Sequence, residues 1–351
     1  MPSTQAVASP LQSIATPPPA TGRWTEVLPG IRWLRMPLPY SIDHINLWLI
    51  QDGDGWALVD TGVCTNEVKQ AWGTLLHEAE EPIALTRVLV THMHPDHVGL
   101  AGWLHERYGV PLAMTRQEYL TCRLGQADAP PGEEAHRHRY FRGAGWSDTL
   151  IANLKLHDEQ QRQYIHPLPS WFRPLHDGDA FPIGAHLWQV VVGQGHTPEH
   201  ACLYCPALQV LISGDQVLPR ISSNLSVHPM QPGADPMAQW FYSMQRIRQR
   251  VPGDVLVLPA HNQPFHGLHA RLDTLAQDQR RSLDRLRAAL ATPQRVIDLF
   301  GPLFKRTARD DDPGLMALAT GEALACLNHL LGLGEIKFRT DRDGVNWYAL
   351  K

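Results

Sequence analysis

Residues 91–99 read THMHPDHVG, which places three histidines and an aspartate within six consecutive positions directly after an apolar run. In an extended chain, residues two apart project to the same side, so His92 and His94 can grip one cation together. Pro95 then turns the chain into a helix, since proline is favoured in a first helical turn, and Asp96 and His97 there can face a second cation. Imidazole suits zinc or iron, and carboxylates suit a harder ion. Three further candidates each stand at the end of an apolar, strand-like run: His196 in VVVGQGHTPEH, Asp215 in VLISGDQVL and His261 in VLVLPAHNQPF. Strand ends are where open sheets place ligands. Among 19 histidines a chance H-x-H is expected, and AHRHRY at 135–140 reads as one on a solvated helix face.

The elements that must position these residues follow from periodicity and turn signals. β-like runs at 31–36, 45–51 and 56–60 are separated by Pro-rich and Asp-Gly turns. The stretch 65–81 carries a helical apolar stripe with Thr65 or Asn66 as N-cap, and ALTRVLV then runs as a strand into the histidine cluster. PDHVGLAGWLHERYG opens with Pro and closes with Gly, as helices do. Residues 116–175 read as a helical insertion rich in Arg, His and Gln beside the site. From 179 the β pattern resumes with DAFPIG, HLWQVVVG and the hairpin-like ACLYCPALQVLISGD, followed by an amphipathic helix over 235–250 and the strand VLVLPAH. Two β-rich halves, each with helices, predict an α+β chain: an αββα sandwich of two mixed sheets flanked by helices. Residues 1–22 predict a disordered tail, 23–267 the catalytic domain and 268–351 a small, mainly helical C-terminal domain ending in a hairpin around Asp343 and Gly344.

The succession H-x-H-x-D-H, G-H-T-P-x-H, S-G-D and a histidine after an apolar strand resembles the metallo-β-lactamase superfamily, of the glyoxalase II type, over roughly residues 30–265. The resemblance implies two divalent metal ions, zinc foremost with iron or manganese as alternatives. His92, His94 and His196 would hold the first ion, Asp96, His97 and His261 the second, and Asp215 would bridge them. Asp60 in ALVDTG matches the aspartate that orients a ligand histidine, and His200 matches a trailing structural histidine. Glu199 stands where glyoxalase II carries a small residue. The C-terminal domain resembles the winged-helix-like tail of relatives that cut single-stranded RNA.

Neither a G-x-S-x-G elbow nor a convincing Cys/His pair competes as nucleophile. Water activated between two metals is therefore expected, with Asp96 as proton acceptor. Formally, two divalent cations, two aspartates and one hydroxide leave the centre at about +1, which favours an anionic transition state. An aspartate at 215, where zinc β-lactamases keep a cysteine, points towards thioesters, lactones or phosphodiesters, with thioesters of the acyl-glutathione or acyl-CoA type leading. A phosphodiesterase or single-stranded RNA endonuclease, a lactonase, a mononuclear-iron persulfide dioxygenase and a non-catalytic metal-containing sensor stand as alternatives. The loop 219–236 predicts a pocket wall with Asn224 and His228 as polar contacts, and Tyr40 and His44 reach towards the same pocket from the opening meander. Satisfying loop backbone groups is the equal alternative for Asn224 and His228, and an ordinary turn role is the plainer reading for Tyr40 and His44. Trp171 and Phe172 are expected to pack the insertion.

The formal net charge of −4 offers no global attraction to nucleic acid or an acidic membrane. Lys305, Arg306 and Arg309 are followed by three aspartates, and Arg271, Arg280, Arg281, Arg285 and Arg287 are interleaved with Asp273, Asp278 and Asp284, so a solvated helix face or a homodimer contact is expected there. Five cysteines, an odd number scattered along the chain, predict a reducing compartment, the cytoplasm. Cys202 and Cys205 spell C-x-x-C, but three residues apart on a strand they face opposite sides. Residues 1–22 lack the basic and apolar regions of a signal peptide, and no window of about 18 apolar residues suggests a membrane span. The expected partner is a small anionic substrate.

Overall fold

The computed structural model describes residues 11–79, 81–127, 132–304 and 312–351. After β1 (Gln12–Ser13), one sheet takes β2 (Trp24–Leu28), β3 (Ile31–Pro37), β4 (His44–Asp52), β5 (Gly55–Val59), β6 (Leu85–Leu89), β7 (Leu112–Thr115) and β8 (Arg173–Leu175), side by side in chain order. The second takes β9 (Ala180–Ile183), β10 (His186–Gly193), β11 (His200–Cys205), β12 (Val210–Gly214), β13 (Leu256–Pro259) and β14 (Phe265–His266). It too runs in chain order, and β1 closes its edge by pairing Gln12 with His266 and Ser13 with Phe265. Residues 12 and 13 thus leave the expected disordered tail, because an open sheet edge supplies them with backbone partners.

Alternation along the strands builds the layers. In β3, Ile31 and Trp33 enter the core between the sheets, whereas Leu34 and Met36 face the helices outside. In β11, Cys205 joins the inter-sheet core and Cys202 the opposite face, so the C-x-x-C pair is split as its spacing predicts. Trp33 and Trp48 stack at 5.8 Å between the sheets, and burying each such side chain contributes on the order of 1.5–3 kcal/mol. Helices α1 (Asn66–Gly73), α2 (Pro95–Val98), α3 (Ala101–Tyr108), α4 (Arg116–Gln126), α5 (Glu133–Gly143) and α6 (Asp148–Arg162) lie in the crossovers between the parallel strands β5 to β8. Helix α7 (Pro236–Arg250) makes the parallel crossover from β12 to β13. Thr65 caps α1, its hydroxyl accepting from the Val68 amide, but α1 ends at Gly73 and continues as a π-helical turn over Thr74–Glu78, shorter than the helix expected to 81.

Beyond the sandwich come α8 (Leu268–Ala289), α9 (Phe300–Phe304), α10 (Pro313–Gly332) and the hairpin of β15 (Ile336–Thr340) with β16 (Asn346–Leu350). Leu283, Leu327 and Tyr348 from these elements share one apolar core with Val191, Leu211 and Val257 from the outer face of the second sheet. Helix α10 corrects the expectation that no window could span a membrane, since its length and composition suffice. Half of that window is buried, as in a core helix.

Candidate metal centre

The candidate ligands sit at one rim of the sandwich, Asp96 and His97 in the short helix α2 and the others on loops. β5 and β6 run parallel, as do β12 and β13, so their C-terminal ends deliver Asp60, the 92–97 cluster, Asp215 and His261 to that rim. The turn between β10 and β11 adds His196.

Nδ1 of His92 faces the Thr91 hydroxyl at 3.0 Å, while its Nε2 lies 2.9 Å from His94 Nδ1 and 3.3 Å from His196 Nε2. Asp215 stands between this trio and the rest. Its Oδ2 is 3.5 Å from His196 Nε2, and its Oδ1 lies 3.6 Å from His97 Nε2 and 3.4 Å from His261 Nε2. Asp96 closes the far side, with Oδ2 at 3.5 Å from His97 Nε2 and 3.4 Å from His261 Nε2.

Neighbouring groups choose the tautomers. His97 Nδ1 meets Asp60 Oδ2 at 2.8 Å, His196 Nδ1 donates to the Asn224 carbonyl at 2.8 Å, and His261 Nδ1 donates to the His44 carbonyl at 2.9 Å. Each proton held on Nδ1 leaves Nε2 as a lone-pair donor aimed at the centre. Asp60 is in turn fixed by the Thr91 amide, 2.7 Å from Oδ1, and adopts φ 61°, a left-handed conformation rare for residues with a side chain.

These donors fit divalent cations. Tetrahedral zinc with Zn–N near 2.0–2.1 Å puts neighbouring ligand atoms about 3.3–3.4 Å apart, close to the separations found here. His97 Nε2 and Asp215 Oδ1 are buried without a hydrogen-bond partner. Such orphans are costly unless something binds them. Three groups of donor atoms converge: His92, His94 and His196; His92, His97 and Asp215; and Asp96, His97 and His261.

The protonation pattern agrees. Burial, reinforced by neighbouring imidazoles, holds His92 well below the ordinary histidine range and lowers His94 to about 3. Burial also pulls down His97 and His261, but the carboxylates outweigh it. Asp96, Asp60 and Asp215 lift His97 well above its usual value, and Asp215 with Asp96 lifts His261 to about 10. Burial would raise Asp96 and Asp215, yet His97 and His261 bring both below the carboxylate range. Without a cation, protons on His97 and His261 neutralise the carboxylates.

The four suggested substrate contacts fare differently. The Asn224 side chain is engaged away from the centre, its amide donating to Glu322 Oε2 at 3.0 Å and its Oδ1 accepting from the Ser226 hydroxyl. His44 pairs its Nδ1 with Asp43 and accepts the Asn262 amide on Nε2. His228 is exposed, accepting from the Met230 amide. Tyr40 lies at the rim, its hydroxyl bonded to Gln161 Oε1 at 3.2 Å, and its ionisation is suppressed by burial and then by the charge of Asp96. Phe172 stacks on Tyr119 at 3.8 Å, and Trp171 is exposed beside His105.

Several supports were not read from the sequence. Glu118, fully buried at the start of α4, accepts the Met93 amide at 3.0 Å and the Glu199 amide at 2.7 Å, clamping together the loops that carry the candidate ligands His92, His94 and His196. Burial raises its carboxyl despite those bonds. His200, unlike the others, was expected from the sequence to be structural: it accepts the Asp215 amide at 3.0 Å, and a Cβ on Gly214 would lie 2.5 Å from its ring. Glu199 turns its carboxylate to the Gln117 amide in the first turn of α4, at 3.0 Å. Arg271 is buried and donates to the Leu218 and Ile221 carbonyls, bracing the loop after β12.

A family model of the metallo-beta-lactamase superfamily matches residues 41–292, and one of a metallo-beta-lactamase-like C-terminal domain matches residues 283–351. The crystal structure of a beta-lactamase domain protein from Burkholderia ambifaria is similar over 97% of this chain and 98% of that one, at 40% identity and a TM-score of 0.88. The probable metallo-hydrolase YflN of Bacillus subtilis is 27% identical over 189 residues, 51% of this chain and 62% of that protein. The acyl-coenzyme A thioesterase MBLAC2 of Bos taurus is 25% identical over 195 residues, 54% of this chain and 63% of that protein. The chain thus spans less than two thirds of either curated relative.

Proposed function

Because the chain belongs to the metallo-β-lactamase superfamily of hydrolases, we propose that it is a dinuclear metal-dependent hydrolase of a thioester or related ester, of the acyl-glutathione or acyl-CoA type. The observation that carries this reading is Asp215, whose two carboxylate oxygens face different imidazole groups, His196 on one side and His97 with His261 on the other. His92, His94 and His196 would hold one ion, Asp96, His97 and His261 the other, and Asp215 both. When bound, two such ions supply Lewis acidity for the scissile carbonyl and a water acidified towards neutrality.

The chain's own contribution is positioning and proton traffic. Asp60 and the carbonyls of Asn224 and His44 hold the Nδ1 sides of His97, His196 and His261, so that each Nε2 faces the centre. Asp96, less deeply buried than His97 and His261, is placed to take the proton of the attacking water. A small anionic substrate suits the positive balance of the loaded centre.

Thioester chemistry is supported by the relative named as an acyl-coenzyme A thioesterase. A nucleic-acid substrate would need a run of unpaired cations. On α8, however, Arg281 pairs with Asp278, Arg287 with Asp284 and Glu335, and Arg285 donates to the Pro302 and Leu303 carbonyls. Lys305, Arg306 and Arg309 lie outside the described residues. All five cysteines are unpaired, which supports a reducing compartment such as the cytoplasm.

The test is elemental analysis of the purified protein alongside hydrolysis of acyl-glutathione, acyl-CoA, lactone and bis-phosphodiester substrates. Two metals per chain with turnover confined to the thioesters is the expected result. A single iron with no hydrolysis, and oxygen consumption on a glutathione persulfide, would replace this reading with oxygen chemistry.

A further inference from the structure

His196 does not reach its acceptor through regular structure. The Asn224 carbonyl that fixes its Nδ1 belongs to the irregular loop after β12, and the residue before it, Ser223, donates its hydroxyl to the Asp215 carbonyl. One short segment therefore touches two of the converging residues. What holds that segment is α10, 98 positions further along the chain: Glu322 Oε2 accepts from Asn224 Nδ2 at 3.0 Å. The Val227 amide donates to the Gly321 carbonyl at 3.0 Å, and a Cβ on Gly321 would lie 2.7 Å from the Ser226 hydroxyl, so glycine is what lets the helix come this close. Tyr140 of α5 donates to the Val227 carbonyl at 2.7 Å from the other side. Burial makes the position expensive for a carboxylate, pushing Glu322 up to about 7 against the pull of the Asn224 amide.

We propose that Glu322 is a positioning residue of the metal centre: through Asn224 it fixes the ring of His196 and the loop beside Asp215, which makes the C-terminal region part of the site. This rests on the reading of His196 and Asp215 as metal ligands. The backbone carbonyl of Asn224 can hold His196 Nδ1 only where the loop is pinned, and the Asn224 side chain is pinned by one long-range bond, that to Glu322. Glutamine at 322 keeps an oxygen able to accept from Asn224 and should preserve the arrangement, whereas alanine removes the acceptor.

The experiment is extraction of zinc from the full-length holoprotein by a chromogenic chelator, for wild type, Glu322→Ala, Glu322→Gln and Asn224→Ala. Losing a support behind a ligand typically weakens metal binding by roughly 10–100-fold. Glu322→Ala and Asn224→Ala are therefore expected to release zinc about tenfold faster, with Glu322→Gln close to wild type. In cobalt-substituted protein the visible ligand-field band should shift in Glu322→Ala and not in Glu322→Gln, which general loosening would not reproduce. Wild-type release from Glu322→Ala overturns the proposal, as does equal acceleration by alanine and glutamine. Should Glu322→Ala not fold, Asn224→Ala decides alone, and an unchanged rate there overturns it. Release is read without any ester turnover, so a protein that holds zinc as expected but cleaves no thioester refutes the proposed substrate and leaves this assignment standing.

Discussion

Asp60→Asn tests the tautomer of His97, keeping the shape at position 60 while removing one of the charges that lift the His97 ring. Asparagine matches aspartate in shape and is among the side chains that tolerate the left-handed backbone, here at φ 61°. The Thr91 amide lies 2.7 Å from Oδ1 and must keep an oxygen acceptor. The amide nitrogen of asparagine then falls at the Oδ2 position, 2.8 Å from His97 Nδ1. Two donors cannot face each other there, so His97 moves its proton to Nε2 and loses the lone pair aimed at Asp96 and Asp215. A hydrogen bond to a charged group is worth about 1.5–3 kcal/mol, which corresponds to roughly 10–100-fold in affinity. That loss should fall on the ion between Asp96, His97 and His261, because His94 and His196 do not touch Asp60. The assay is metal content after dialysis against graded chelator: wild type should release its ions in sequence, and the variant should give up one of them at far lower chelator. A variant that keeps both ions with wild-type affinity would show that Asp60 does not act through the tautomer of His97.

Asp96→Ala should lower kcat by about 10²–10⁴-fold while the circular dichroism spectrum is unchanged; full turnover would rule out Asp96 as proton acceptor. The raised values of His97 and His261 mean that an ion entering beside Asp96 must displace protons at neutral pH. Calorimetric titration in buffers of different ionisation enthalpy should therefore show more proton release for one ion than for the other, and equal release would contradict the assigned protonation. The same shift has a stability consequence. A histidine raised from 6.5 to about 10 stabilises the metal-free fold fully below 6.5 and loses that contribution as pH rises through about 10. Chelated protein should thus melt lower at about pH 9.5 than at pH 7 relative to the loaded form, and parallel melting curves would refute it. Glu118→Ala leaves the Met93 and Glu199 amides without an acceptor and should cost about 2–6 kcal/mol; a urea midpoint within error of wild type would show that water or a neighbour takes over both.

Much of the fold was legible because it rests on local patterns. Alternation in IRWLRM and HLWQVVVG follows from the two-residue repeat of a strand, and it also placed Cys202 and Cys205 on opposite faces. The types and spacings of the candidate ligands were legible for a similar reason: His92, His94, Asp96 and His97 are neighbours in sequence, and His196, Asp215 and His261 each follow an apolar strand. Among the supports, Asp60 and His200 were legible through the resemblance, and the others were not. Glu118 is one charged residue in an ordinary helical stretch, and only folding brings it to the amides of Met93 and Glu199, the latter 81 positions away. His44 and Asn224 were read as polar side chains reaching a pocket, whereas each serves the centre through its backbone carbonyl.

The sequence by itself determined which groups could bind cations, and in what order the strands would present them, because both depend on side-chain type and short-range spacing. Tertiary structure alone decided which nitrogen of each ring points inward and that α10 reaches the site through Glu322. Those features are hydrogen bonds and ångström-scale separations between residues dozens to hundreds of positions apart, and they exist only once the two sheets have packed.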